Sequence, residues 1–152
     1  IKDAIMTHCV QKDAEGKPYF GWSIDLNGSH DVYDEPPGSL QLLSFFDFCS
    51  PTDEIYRNTV AMIRSPEYKY SFANSPINEI GCPHAPHPWI LSLANSLLCG
   101  RVEHCRAILE KISMDNGIAC ESVDEATGYC TTGEAFATCA GFLCHSIREA
   151  LL

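Results

Sequence analysis

Clustered positive charge is missing from this chain. Ten Lys and Arg stand against twenty Asp and Glu, a formal net charge of -10, and the bases are scattered singly from Lys2 to Arg148. Counterion release on a nucleic acid needs basic residues grouped on one face. Nucleic acid and anionic membrane are therefore excluded as partners, and a neutral or cationic ligand is easier to accommodate. No apolar run nears the ~20 residues of a bilayer-crossing helix. No hydrophobic leader follows the opening Ile1-Lys2-Asp3, so no secretory signal is read. Without an initiator Met, the chain reads as a fragment or a processed product. A Gly-rich phosphate loop, a nucleophile elbow and any repeat of solenoid length are likewise missing.

What remains is an ordinary soluble composition. The chain has 152 residues, 45 % hydrophobic and 20 % charged, enough for one domain with a real core. Nine cysteines are many, and their number is odd. A disulfide framework favours an even count in a short, loop-rich chain, whereas Cys99, Cys139 and Cys144 fall on apolar helical faces, where a thiol packs as a small hydrophobe. Free thiols in a reducing cytoplasm are the expectation.

Ala4, Ile5 and Cys9 place a helix over residues 1–10. The alternation from Tyr19 to Asp25 predicts a strand, and Asn27-Gly28 a hairpin turn leading to a partner strand over 30–33. Pro36, Pro37 and Gly38 break regular structure, and Ser39 is placed to cap a short apolar helix. Asp53 and Glu54 set acids at the positive end of the next helix, whose greasy face is Ile55, Thr59, Met62 and Ile63. Five prolines within 66–88 predict a long structured loop of the kind that carries function. Helices come next over 89–99 and 102–114, jointed at Gly100, and a last one over 133–152. The breaker run Met114 to Gly117 leads into Glu121. Helix pairs with tight turns at one end and long loops at the other predict a mainly α fold of the α/α toroid or half-toroid kind, interrupted by one small β-hairpin.

Two constellations carry chemistry. Cys82-Pro83-His84-Ala85-Pro86-His87 has metal-type side chains, but its prolines restrict the rings and no second ligand pair stands at finger-like spacing; no metal and no cofactor are expected. The same loop can offer His84 and His87 to sugar hydroxyls and Trp89 as a stacking face, or the histidines can simply tie the loop down. The acids Asp34, Glu35 and Glu121 sit on loops. A carboxylate in a partly apolar pocket has a raised pKa suited to general acid or base work, while solvated loop acids do no chemistry at all. The residues alone leave these alternatives open.

Four stretches in series resemble glycoside hydrolase family 125, the metal-independent exo-α-mannosidases. "YDEPPGSLQLLSFF" (33–46) is similar to that family's DDANVPSLLSLPYL segment, with Asp34 on its second acid and Ser39-Leu40 on its Ser-Leu. "DEIYRNTVAMIRSPEYKYSF" (53–72) resembles its helix and Tyr-Tyr-Phe tail, and "EIGCPHAPHPWILSLA" (79–94) its Gly-Ile-Gly-Ser-Pro-His-Thr loop and Trp-led helix. "NGIACESVDEATGYCTTGEAFA" (116–137) is similar to its Gly-Phe-Met-His-Glu-Ser-Phe segment and the Thr-Arg to Phe-Ala stretch after it. The likeness runs from about Asp25 onward. This sequence departs at Ala85, where the family has Thr, at Ala119-Cys120 in place of Met-His, and over 128–134, which has no Arg.

The resemblance implies the C-terminal part of an (α/α)6 toroid, a single partial catalytic domain over 1–152, and an inverting exo-α-mannosidase acting on α-1,6-linked mannose. It places Glu121 on the family's general base, and Asp34, Glu35, His84, His87, Trp89 and Ser122 at the substrate, with residues 34, 84 and 89 sharing a cleft. The general acid and the missing N-terminal part of the fold would lie upstream, and a greasy seam left without that part is expected to make the isolated piece self-associate. Two other readings stand beside it: a glucoamylase-like or phosphorylase-like α/α enzyme, and a non-catalytic carbohydrate-binding helical module.

Overall fold

The computed structural model describes residues 1–114 and 117–151. Asp115 and Asn116, part of the expected breaker run, and Leu152, the end of the expected last helix, lie outside the described residues. Helices α1 (Lys2–His8), α2 (Glu54–Ile63), α3 (Ile90–Leu98), α4 (Val102–Leu109) and α5 (Ala137–Leu151) dominate. The strands β1 (Val10–Lys12), β2 (Pro18–Phe20), β3 (Ser23–Ile24), β4 (His30–Asp31), β5 (Ser122–Val123) and β6 (Cys130–Thr132) form three separate two-stranded antiparallel ribbons, β1-β2, β3-β4 and β5-β6. None of the nine cysteines is bonded to another, and no helix among the described residues is long and apolar enough to cross a membrane.

Helix α3 is the axis of the fold. Residues Ile90 to Leu97 are all buried: the apolar face packs in the core, and the polar face of Ser92, Asn95 and Ser96 finds hydrogen-bond partners inside. Ile90, Leu93, Leu97, Cys105, Ile108, Cys139 and Leu143 join α3, α4 and α5 in one core. The joint expected at Gly100 is there: the residue has φ +79, Gly100 N donates to the Leu97 carbonyl and Arg101 N to that of Ser96, both at 3.0 Å. This is a Schellman closure, which needs a left-handed residue and so favours glycine. On the other side, Phe20 N donates to the Thr59 hydroxyl at 2.8 Å and Asn58 Nδ2 to the Pro18 carbonyl at 2.8 Å, tying β2 to α2.

Several expectations shift in detail. The single strand over 19–25 divides at Gly21-Trp22: its first half pairs with β1, which sequence periodicity misses, and its second half with β4 across the Asn27-Gly28 turn. Asp25 holds that turn, its Oδ1 accepting from Asn27 N and Ser29 N. The helix expected after Asp53 is there, and Asp53 also caps it, the side chain accepting from Tyr56 N. The segment after Ser39 is a 3-10 turn rather than an α-helix. Helix α4 stops at Leu109 rather than running to residue 114, because Ser113 N is claimed at 3.0 Å by the Gly128 carbonyl. A side chain at Gly128 would meet the Lys111 carbonyl oxygen at 2.6 Å, so only glycine lets the two segments lie this close.

Inside the helical layer lies a buried acid. Glu79 is 1 % exposed. Its Oε2 accepts from Ser92 Oγ at 2.6 Å and Arg64 at 3.2 Å, and its Oε1 from Ser96 Oγ and His104 Nε2, both at 2.8 Å. Arg64 also donates to Gln41 Oε1 at 2.6 Å and to Ser96. Burial alone would push the Glu79 carboxyl up; the Arg64 charge and the hydrogen bonds from His104, Ser92 and Ser96 outweigh it and hold it down at about 2. A carboxyl depressed from 4.5 to about 2 contributes stability that is fully present above pH 4.5 and is lost as pH falls toward 2. Removing the cation strands the acid, so Arg64→Met is expected to cost roughly 3–5 kcal/mol in chemical denaturation near neutral pH. The cost should shrink on acidification, and a flat difference from neutral pH to pH 3 would contradict this account.

Candidate functional site

The Pro-rich loop is held by a single carbonyl. The Ala85 oxygen accepts from Cys82 N at 3.2 Å, His87 N at 2.8 Å and Trp89 Nε1 at 3.1 Å. At Gly81 a β-carbon would meet the His87 carbonyl oxygen at 2.6 Å, so the loop closes on itself there. Beyond it, Trp89 bridges Ser122, Val123 N donates to the Pro88 carbonyl at 2.9 Å, and Ile90 N, the first of α3, donates to the Glu121 carbonyl at 3.0 Å. Loop 81–88 and the β5-β6 ribbon thus form one rim.

Glu121 stands on that rim, immediately before β5 rather than in a plain inter-helix loop. Its amide reaches the Thr132 and Gly133 carbonyls at 3.1 and 3.0 Å. Ala119, Cys120 and Ser122 beside it are buried, while Glu121 is half-buried. Among the described residues its carboxylate has no hydrogen bond or ion pair. The backbone is pinned on both sides.

The other predicted residues divide into two groups. His84 is exposed and its Nδ1 lies 3.6 Å from Glu35 Oε1; the ring meets the edge of Trp89 at 5.2 Å. His87 is half-exposed, its Nδ1 2.9 Å from Glu125 Oε2, a partner the sequence does not announce. Asp34, Trp89 and Ser122, in contrast, are fully or nearly buried. Asp34 accepts from Ser39 Oγ and Leu40 N, both at 2.7 Å, and burial pushes its carboxyl up to about 6 against the pull of those bonds. The Trp89 indole is spent on Ala85, and the Ser122 hydroxyl on Thr131 and Thr132 at 2.8 and 2.6 Å. The expectation that residues 34, 84 and 89 line one cleft is corrected accordingly: the donors Ser39 and Leu40 draw Asp34 inward, the Ala85 carbonyl takes the Trp89 indole, and only His84 faces solvent.

An open cleft of about 610 Å3 lies beside the rim, lined by Tyr33, Tyr68, Tyr70, Met62, Asp31 and Pro83 among others. Trp22, Tyr33, Tyr70 and Tyr68 follow one another edge to face at 5.4, 6.0 and 5.9 Å. The Tyr33 hydroxyl donates to Glu35. Tyr68 and Tyr70 share one short segment, but Trp22 and Tyr33 reach them from a distant part of the chain, so periodicity does not find the row. Cys82, weighed above only as a metal-type side chain, has its sulfur 3.3 Å from His84 Nδ1; burial pushes its thiol up to about 11.

Gly133 faces Glu121 directly. It has φ +60, and a β-carbon there would stand 2.8 Å from that of Glu121. Gly133→Ala is therefore expected to cost about 1–2 kcal/mol in left-handed strain alone. Gly141→Ala, in α5 with nothing within 4 Å, should stabilise by roughly 0.5–1 kcal/mol. Paired melting curves check this: a Gly133→Ala melting temperature equal to or above that of the unaltered protein would refute the constraint at Gly133.

Residues 1–148 match the family described as metal-independent alpha-mannosidase (GH125). Among solved structures, the chain is similar to a metal-independent alpha mannosidase from Streptococcus pneumoniae, determined as a non-productive substrate complex with alpha-1,6-mannobiose, with a TM-score of 0.85 at 21 % identity. That match covers 99 % of this chain and 37 % of the other, so the chain spans well under half of its neighbour's length. The likeness shows a shared, mainly α fold. No curated protein matches the chain.

Proposed function

Because this chain belongs to the metal-independent α-mannosidase family of glycoside hydrolases, we propose that it is the base-bearing C-terminal part of an exo-acting α-mannosidase with an (α/α)6 toroid fold. Residues 1–152 form one partial catalytic domain, completed by an N-terminal part that carries the general acid. The substrate is a mannoside, α-1,6-linked as in the ligand of the pneumococcal neighbour, and the working compartment is the reducing cytoplasm.

In this reading Glu121 is the general base of an inverting hydrolysis. Its carboxylate takes a proton from water as the oxygen attacks the anomeric carbon, while the acid from the N-terminal part protonates the leaving oxygen. The two carboxyl groups then stand ~6.5–9.5 Å apart, with the water between them. The observation that carries the proposal is the state of Glu121: backbone fixed from both sides, carboxylate half-buried and unpartnered among the described residues. A structural acid such as Glu79 is saturated with donors; a base must keep a lone pair for its water.

The remaining predicted residues take graded parts. Glu35, His84 and His87, with polar atoms at the rim, meet sugar hydroxyls. Asp34, Trp89 and Ser122 are buried and act as positioning residues: Asp34 for the loop bearing Glu35, Trp89 for the His84 ring, and Ser122 for the ribbon next to Glu121.

Glu121→Gln in the full-length enzyme keeps the shape and removes the base. Turnover of an aryl α-mannoside is expected to fall by roughly 10²–10⁴ in kcat, with the melting temperature unchanged. Full turnover in the variant would end the assignment.

A further inference from the structure

The loop motif Cys82-Pro83-His84 lacks a second pair of metal-type residues in sequence, but folding supplies a third donor from elsewhere. One ligand atom each from Glu35, Cys82 and His84 lie within 4.8 Å of one another. We propose that Glu35, Cys82 and His84 form a binding site for a single zinc ion, with a carboxylate oxygen, the thiolate sulfur and the imidazole Nδ1 as ligands and water in the fourth position.

The distances suit a tetrahedral centre. Bond lengths of ~2.3 Å to sulfur, ~2.1 Å to nitrogen and ~2.0 Å to oxygen put tetrahedral S–N and N–O separations at about 3.6 and 3.4 Å. The Cys82 Sγ to His84 Nδ1 distance is 3.3 Å and the His84 Nδ1 to Glu35 Oε1 distance is 3.6 Å. These two pairs therefore need to move by only a few tenths of an ångström, and the third pair, the Cys82 sulfur and a Glu35 oxygen, lies within 4.8 Å.

The surroundings also orient the donors. The Tyr33 hydroxyl takes Glu35 Oε2, which leaves Oε1 for the ion. The Trp89 ring, nearly perpendicular to the imidazole with centroids 5.2 Å apart, packs against it, and the Cys82 amide bond to the Ala85 carbonyl fixes the turn. Partners of this kind set ligand orientation in metal sites. His84 is 61 % exposed in its side chain, so an ion has a way in, while Cys82 is closed to solvent at 0 %.

Thiolate with imidazole selects zinc over magnesium or calcium. One thiolate and one carboxylate cancel the two charges of the ion. As the sulfur–zinc bond forms, the Cys82 thiol proton passes to solvent. Zinc and sugar hydroxyls would compete for Glu35 and His84, while the role of Glu121 in a family whose hydrolysis is metal-independent is untouched.

Cobalt(II) is the probe. Added to the full-length protein under a phosphine reductant, it is expected to give one equivalent of a thiolate-to-metal charge-transfer band with tetrahedral d–d bands, all displaced by zinc. Cys82→Ser should abolish the charge-transfer band. His84→Ala, a change at an exposed side chain that leaves the fold intact, should weaken binding by roughly a hundredfold or more, and it decides the matter if the buried Cys82→Ser variant does not fold. Absence of the band in the unaltered protein, or a band of unchanged affinity in His84→Ala, overturns the proposal.

Discussion

A negative charge taken out of water must be matched on the spot, and Glu79 imposes that demand on the middle of this molecule. Its two oxygens draw Ser92 and Ser96 from α3, Arg64 from the end of α2 and His104 from α4. Arg64 in turn reaches Gln41, and Gln41 stands next to the Ser39 hydroxyl that serves Asp34. One buried carboxylate thereby sets the mutual position of three helices and of the loop that presents Glu35. Its partners must all be in place together, because each unfilled lone pair on a buried acid costs about as much as a lost hydrogen bond or more.

The rim depends on that arrangement. Glu79 is followed at once by Ile80, Gly81 and the Pro-rich loop, so the network fixes where the loop starts, while the Ile90 amide at the head of α3 fixes Glu121. The same helix thus carries the structural acid's partners on its middle turns and the proposed base's anchor at its first residue. The contrast between the two glutamates is chemical as well as positional. Glu79 is saturated with donors and held ionised; Glu121 is anchored through its backbone and leaves its oxygens unclaimed among the described residues.

Much of the helical scaffold can be read along the chain. Asp53 caps α2, Gly100 joints α3 and α4, and the apolar run after Trp89 forms the central helix, because capping, left-handed turns and unbroken apolar sequence act within a few residues. The ribbons are less legible. The partner β1 of the alternating β2 segment, and both strands of the β5-β6 ribbon beside Glu121, are short segments that have no alternation of their own. The early end of α4 depends on the carbonyl of Gly128, which periodicity cannot anticipate.

The chain's charge balance, its helical segments, its Pro-rich loop and the motifs that align Glu121 with a catalytic family were all determined by residue order, since each is a property of composition or of near neighbours. Which acids face solvent was decided by the tertiary structure. Asp34 and Glu35 are adjacent in sequence, yet the first is closed in by Ser39, Leu40 and Gln41 and the second turns out toward His84 and Cys82. Burial of a carboxylate depends on donors arriving from other segments, and only folding brings those segments together.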